Sequence, residues 1–294
     1  MADSKKEHDF LDHWEIWQSF YDLEKETKEF GGHLEKAISG DKTLYIKKIC
    51  GKYRRYGITP EQDGNSEAIR MATICETDGD ENGREWSLCR FMPVLPGYQN
   101  EIYPKEIIPG EDETFGYVKA CPEKGVGQDF VYYDNFFARD REKYEGILAK
   151  GKNGNEPVKV KIAALGFGLE KNDTLPLKIS DGAVYEVALN RFLQDNPGKS
   201  KKDFPYVEIH TDKMTMLFPT SCDDLFEFAA NIDEVKEMLF FGKKTYRIKT
   251  TFFPSEDEEL TVYLYAGENA LGGYVPSAGD NVKGMLQFYG SICN

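Results

Sequence analysis

Much is missing from this chain of 294 residues. No run of about 18 uncharged apolar residues occurs, so no helical membrane span is expected. Met1-Ala2-Asp3-Ser4-Lys5-Lys6 leads into a charged helical pattern and not into an apolar core. No targeting segment is expected, and the cytoplasm is the default location. Histidines are few: His8, His13, His33 and His210. His8 and His13 stand five apart, about 140° around a helix, and do not share a face. Neither an HExxH nor a Cys/His set with zinc spacing is present, which sets a metalloenzyme aside. The six cysteines (Cys50, Cys75, Cys89, Cys121, Cys222 and Cys293) include no CxxC pair. They read as scattered core thiols in a reducing compartment, not as a disulfide framework. Nucleophile elbows, phosphate loops and dinucleotide fingerprints are missing as well. Lys124-Gly125-Val126-Gly127 is glycine-rich but lacks the strand–loop–helix context and the closing Lys-Ser/Thr. Catalytic groups can be gathered from distant positions, so these absences weigh against an enzyme rather than eliminating it. No cofactor is expected.

What is present is enough apolar material for real cores. The composition is 40% hydrophobic, 13% aromatic and 30% charged. The length suits two domains better than one small β-domain. Lys and Arg number 37 against 51 Asp and Glu, a formal charge of −14. Such a charge repels a phosphate backbone at long range and attracts a basic protein.

The pattern along the chain predicts a mainly β (α+β) protein: two small, partly closed β-barrel-like domains with accessory helices. Residues 1–40 are expected as an N-terminal amphipathic helix packed on the first domain. Ser4 and Glu7 form a capping-box pattern. Phe10, Trp14, Trp17 and Tyr21 follow on one helical face, and Gly31-Gly32 is the expected stop. Residues 41–194 form the first barrel-like domain. Its expected strands are 43–49, 68–76, 85–95, 114–120, 129–133 and 158–162, and its closing helix spans 182–194 with Asp181 as cap. In that helix Val184, Val187, Ala188 and Phe192 line one side. Residues 195–203 lack apolar side chains apart from a proline and read as a linker. Residues 204–294 form the second barrel-like domain, beginning with two strands around a turn at 211–213. About 90 residues are enough for a core of their own. Segment 223–239 is ambiguous, with helical spacing over 232–238 and a possible edge strand at Leu225 to Phe228.

A duplication is expected. Strands 245–253 and 260–266, an acidic turn between them, a glycine series and a last apolar strand to Cys293 have a counterpart in 68–121. Gly279-Asp280-x-Val282-x-Gly284 fits a tight turn followed by a strand bent across a small closed barrel. Phe130-x-Tyr132-x-Asp134-x-x-Phe137, Ala163-Ala164-Leu165, Asn196-Pro197 and Gly273-Tyr274-x-Pro276-x-x-Gly279-Asp280 together resemble a group of uncharacterised bacterial cytoplasmic proteins with OB-like β-barrel units. The resemblance covers about residue 129 to the end. It implies the architecture and no activity.

Three groups of residues are candidate sites. Asp78-x-Asp80-x-Asn82-Gly83 matches the first half of a calcium loop, where alternate oxygens converge on a hard cation. The ninth and twelfth positions are Trp86 and Cys89, so the bidentate carboxylate is missing, and an acidic hairpin turn is the favoured reading. Lys47, Lys48, Arg54 and Arg55 stand beside Tyr53, with Lys42, Lys52, Tyr45 and Tyr56 nearby. Cations beside stackable rings suit single-stranded nucleic acid, while the net charge favours a solvated face with paired cations. Acidic turns at 78–81, 111–113 and 256–259 (Glu256, Asp257, Glu258 and Glu259) present a negative surface. The function expected is therefore a non-enzymatic cytoplasmic binding protein for a basic protein partner. Single-stranded nucleic-acid binding is the first alternative, and an enzyme with dispersed carboxylates is the second.

Overall fold

The structure is a computed structural model and describes residues 10–11, 14–60, 67–79, 85–110, 114–122, 128–150, 156–210, 213–253 and 259–293. The expected first helix begins later than its aromatic stripe. Glu15–Ser19 is a single 3-10 turn, and α1 spans Leu23–Gly40. Asp22 starts α1 because its side chain accepts the Lys25 amide, while Glu26 reaches back to the Asp22 amide at 2.9 Å. The two groups satisfy free donors of the first turn reciprocally. Ser4 and Glu7 lie outside the described residues. Gly31-Gly32 does not stop the helix, because the buried Phe30 and Ala37 hold it on both sides of the pair. The aromatic residues are core as expected for Trp17 and Tyr21, whereas Trp14 is exposed.

A four-stranded antiparallel meander follows: β1 (Lys42–Ile49), β2 (Lys52–Ile58), β3 (Arg70–Thr77) and β4 (Ser87–Val94). The remainder forms one ten-stranded sheet and a small two-stranded one. In chain order come β5 (Tyr98–Pro109), β6 (Gly116–Cys121), β7 (Phe130–Asp134), α2 (Phe137–Lys150) and β8 (Val158–Lys171). An insertion holds β9 (Leu177–Ile179), α3 (Gly182–Asp195), β10 (Val207–Ile209) and β11 (Met216–Pro219). Then come β12 (Leu225–Asn231), β13 (Glu234–Phe240), β14 (Lys243–Phe252), β15 (Leu260–Gly267), α4 (Glu268–Leu271) and β16 (Asn281–Ile292).

Strand pairing closes one ring, and pairing together with chain continuity outlines a second. In the first, β5 pairs β6, β6 pairs β7, β7 runs parallel to β16, β16 is antiparallel to β8, and β8 returns to β5. In the second, β12 pairs β16, β16 pairs β8, β8 runs parallel to β15, β15 pairs β14 and β14 pairs β13. β13 follows β12 directly across Ile232-Asp233, so this second ring is completed by the continuity of the chain; the Asp233 amide, bonded to Lys249 O at 2.9 Å, extends the β13–β14 ladder. Both barrels therefore own the same two long strands. Their shared ladder sets small residues against large ones, Ala164 opposite Phe288 and Ala163 opposite Tyr289. Such pairs fill a junction where strands of both barrels converge. Gly284 sits at the register shift of this ladder, and a Cβ there would lie 2.9 Å from Gly168 O. The bend expected at this glycine is present.

The two barrels are like-connected units. Residues 98–171 give a three-strand meander, a helix and a long strand; residues 225–292 give the same series once β12 and β13, which follow each other across Ile232-Asp233, are counted as one interrupted strand. In each unit the third strand runs parallel to the long strand of the other unit. The duplication expected between 68–121 and 245–293 is replaced by this one. The first of those spans is split between the four-stranded sheet and β5–β6, and the second contains α4 and only three strands. Hairpin turns look alike in sequence, whereas pairing partners are set by distant chain.

Segment 195–203 does not divide two hydrogen-bonded bodies. Strands from before it (β7, β8) pair strands from after it (β15, β16), and one continuous core runs from Trp17 to Ile292. The N-terminal aromatic residues reach both sides as well: Trp17 packs on Phe91 of β4 and Phe240 of β13. The two strands expected around 211–213 do not pair each other; β10 pairs β9 and β11 pairs β12. β12 lies between β11 and β16 and is no edge, and 234–240 is strand, not helix.

Candidate functional site

The basic segment occupies β1 and β2, and its cations are split between two faces. Cross-strand partners share a face, and neighbours along a strand alternate. Lys47 opposes Arg54, while Lys48 opposes Tyr53 on the other side together with Arg55. Lys47 Nζ donates to Ala138 O at 2.7 Å, at the start of α2. Arg54 is buried and pairs Glu76 at 3.1 Å; Lys52 pairs Glu76 and Asp78 at 3.0 and 3.5 Å. Arg55 reaches the buried Asp41 carboxylate at 3.4 Å, and Lys48 stands 5.2 Å over the Tyr53 ring. Lys47, Arg54 and Tyr53 therefore line no common groove. Their neighbours are the carboxylates and carbonyls of this fold.

Of the acidic and calcium candidates, Asp80, Asn82, Glu256, Asp257 and Glu258 lie outside the described residues. Asp78 is engaged with Lys52, and Glu259 accepts the Thr261 hydroxyl at 2.7 Å. Among the described residues, no group of three or more His, Cys, Asp or Glu side chains is set to hold a metal.

Sequence reasoning missed three features. The first is a charged cleft of about 290 Å³ between α1, β14 and α4, lined by Asp22, Glu26, Lys243, Lys244, Glu268 and Asn269. Lys243 Nζ lies 2.7 Å from Glu26 and 3.6 Å from Glu29, and 4.8 Å over the Tyr21 ring. The hydrogen bond from Lys243 holds Glu26 below the usual carboxylate range. Tyr21 shares a 2.8 Å hydrogen bond with His33 Nδ1; burial pushes the phenol up and the imidazole down. The cations here face carboxylates, so the cleft joins α1 to β14 more than it recruits charge.

Second are two buried carboxylates at the first barrel. Asp134 accepts from the Phe136 amide at 2.7 Å and from Tyr144 Oη at 2.9 Å, and burial pushes its pKa up to about 7. Asp224 accepts from the Leu11 amide at 3.0 Å, from Cys222 Sγ at 3.2 Å and from Gln287 Nε2. Burial raises Asp224 as well.

Third is the insertion between the two units. In α3 the buried side chains are Tyr185 and Leu189, and Tyr185 and Phe192 stack on Phe204. Asp181 makes no side-chain cap. This orientation leaves Val184 and Val187 outside, so the single apolar side expected for this helix is not the side that packs. A helix with apolar residues at 184, 185, 187, 188 and 189 has more than one apolar face, and that width is the readable signal. Leu175 is 85% exposed, Val187 71% and Phe218 56%. Phe218 and Met216 border a shallow groove of about 300 Å³ with Phe228, Ala229, Asn172 and Thr174. No helix among the described residues is long and apolar enough to cross a membrane.

No protein-family model, no curated protein and no solved structure matches this chain.

Proposed function

We propose that the chain is a non-enzymatic cytoplasmic binding protein whose ligand is another protein, docked on the insertion between its two barrel units. One observation carries this reading. Six of the twelve large hydrophobic side chains exposed among the described residues belong to that insertion: Leu175, Leu177, Val184, Val187, Met214 and Phe218. Exposed apolar side chains concentrated on one part of a surface mark interaction sites, whereas scattered ones need no explanation. A formal charge of −14 favours a basic partner, whose approach it accelerates at low salt. The ring order of each barrel, with a helix between its third and fourth strands, supports the OB-like reading of the units.

The test compares the wild-type protein with a Val184→Lys/Val187→Lys variant of the same melting temperature. Proteins retained by the first and lost by the second are expected to be basic, with association that slows as salt rises. Identical retention by the two would contradict the docking surface. Tight binding of a short single-stranded oligonucleotide, lost on Arg54→Ala/Arg55→Ala, would replace this reading with the nucleic-acid one.

A further inference from the structure

One row of the first barrel carries three buried tyrosines in register. Tyr117 of β6 opposes Tyr133 of β7, and Tyr133 opposes Tyr289 of β16. Their rings touch in sequence, with centroids 5.4 and 5.8 Å apart. At the β16 end of the row, Tyr289 Oη donates to Gln287 Oε1 at 2.6 Å, which turns Gln287 Nε2 toward the Asp224 carboxylate. The row thus ends in a buried, oriented acceptor. Phe10 lies flat on Tyr117 with centroids 3.8 Å apart and planes 8° from parallel. The next residue, Leu11, donates its amide to Asp224 Oδ1 at 3.0 Å.

We infer that this row is a binding site for an aromatic residue of an extended peptide, and that the chain's own Phe10–Leu11 occupies it as an internal competitor. Recognition has two points: a ring face for the aromatic side chain and a carboxylate for the amide that follows it. Stacking on tyrosine selects a flat ring. A buried carboxylate demands an N–H donor and rejects an anion such as a phosphate. The occupying pair is built to leave. Phe10 and Leu11 are both partly exposed, whereas Ile16 and Trp17 further along are fully buried and anchor the segment independently. Displacement of the pair gives up the Phe10–Tyr117 stacking, the Leu11–Asp224 hydrogen bond and the packing of both side chains on the edge of the core, while the fully buried core residues stay in place. Asp224 stands at the end of the insertion, but none of the exposed apolar side chains of the insertion takes part in this site, so either assignment stands or falls without the other.

The experiment uses the full-length chain carrying Phe10→Ala, which opens the row without removing the segment. The probe is a fluorescent peptide, acetyl-Asp-Phe-Leu-Asp-amide, with its Phe→Ala counterpart as control. The open variant should bind the phenylalanine peptide at least tenfold more tightly than wild type, in which Phe10 competes. Addition of Asp224→Ala, which removes the acceptor, should abolish that gain, and the alanine peptide should not bind. The inference is overturned if the folded variant binds neither peptide or both alike, or if it prefers oligothymidylate to the peptide. Loss of the fold on Phe10→Ala would overturn it too, because a displaceable segment is not one the fold requires.

Discussion

Asp134 makes the stability of this protein depend on pH. Its carboxyl group is fully buried at the end of β7, where it accepts from the Phe136 amide just before α2 and from Tyr144, which in turn accepts from Tyr132. The Asp140 carboxylate nearby is also buried but is paired with Arg139 at 2.6 Å and Lys143 at 3.3 Å. Burial first, and the Asp140 charge second, push Asp134 up to about 7. In the unfolded chain it returns to about 4. Between these values the folded state holds a proton that the unfolded state has lost, so stability falls as pH rises from about 4 to about 7 and is level beyond. A shift of about three pH units corresponds to about 4 kcal/mol over the whole window, of which about 2–3 kcal/mol falls between pH 5 and 8. Asp134→Asn has no proton to lose. Urea unfolding of both proteins at pH 5, 6, 7 and 8 should show the variant gaining on wild type by that amount. Asp224, also raised, adds to the wild-type slope, and His33, lowered, opposes it, but both are common to the two proteins and cancel in the difference. Parallel curves would refute the reasoning, because they would mean that Asp134 ionises as a solvated carboxylate does.

Two further perturbations probe the junction between the barrels. A methyl group added by Gly290→Ala would lie 2.6 Å from Tyr132 Cε2 and 3.1 Å from Ile162 Cδ1, inside the first ring. It should lower stability by about 1–3 kcal/mol in thermal or urea unfolding. Asn100 of β5 donates to Thr261 O at 2.8 Å and accepts from the Thr261 amide at 3.1 Å, tying the first barrel to β15. Asn100→Ala leaves that buried pair unmet, should cost about 1–3 kcal/mol, and should speed hydrogen exchange at Thr261 ahead of its neighbours.

The strands themselves were legible, because alternation and β-branched residues act locally. Segments 158–162 and 260–266 fall within β8 and β15, 245–253 matches β14 to within one residue at its end, and the extra length of β8 reflects its service to both barrels. Its Ala163-Ala164-Leu165 stretch has no polar alternation because both faces of the strand are buried there. The helical spacing at Ile232, Val235 and Met238 misleads because pairing with β14 outweighs propensity there. Gly31-Gly32 misleads because each glycine costs a helix about 1 kcal/mol, which the packing of Phe30 and the Asp22 cap offset. The basic segment was legible as a cluster, but its division between two faces depends on register. The site on the tyrosine row was the least legible part. Tyr117, Tyr133 and Tyr289 are ordinary strand residues until β16 arrives, more than 150 residues after β7, to set them side by side.

Because the two barrel units share β8 and β16, they should fold as one body. A protease site placed within 196–202 tests it directly, since this stretch is exposed and lies inside the insertion. The fragment from 204 onward, alone, would lose β7 and β8 and uncover Val282, Leu286, Phe288, Tyr289 and Ile292 on β16. At about 1.5–3 kcal/mol for each such side chain, the loss matches the whole stability of a typical domain. After cleavage the two fragments should elute together under native conditions, melt in one transition and separate only in denaturant. A C-terminal fragment that separates under native conditions and keeps dispersed amide resonances would contradict the shared-strand architecture.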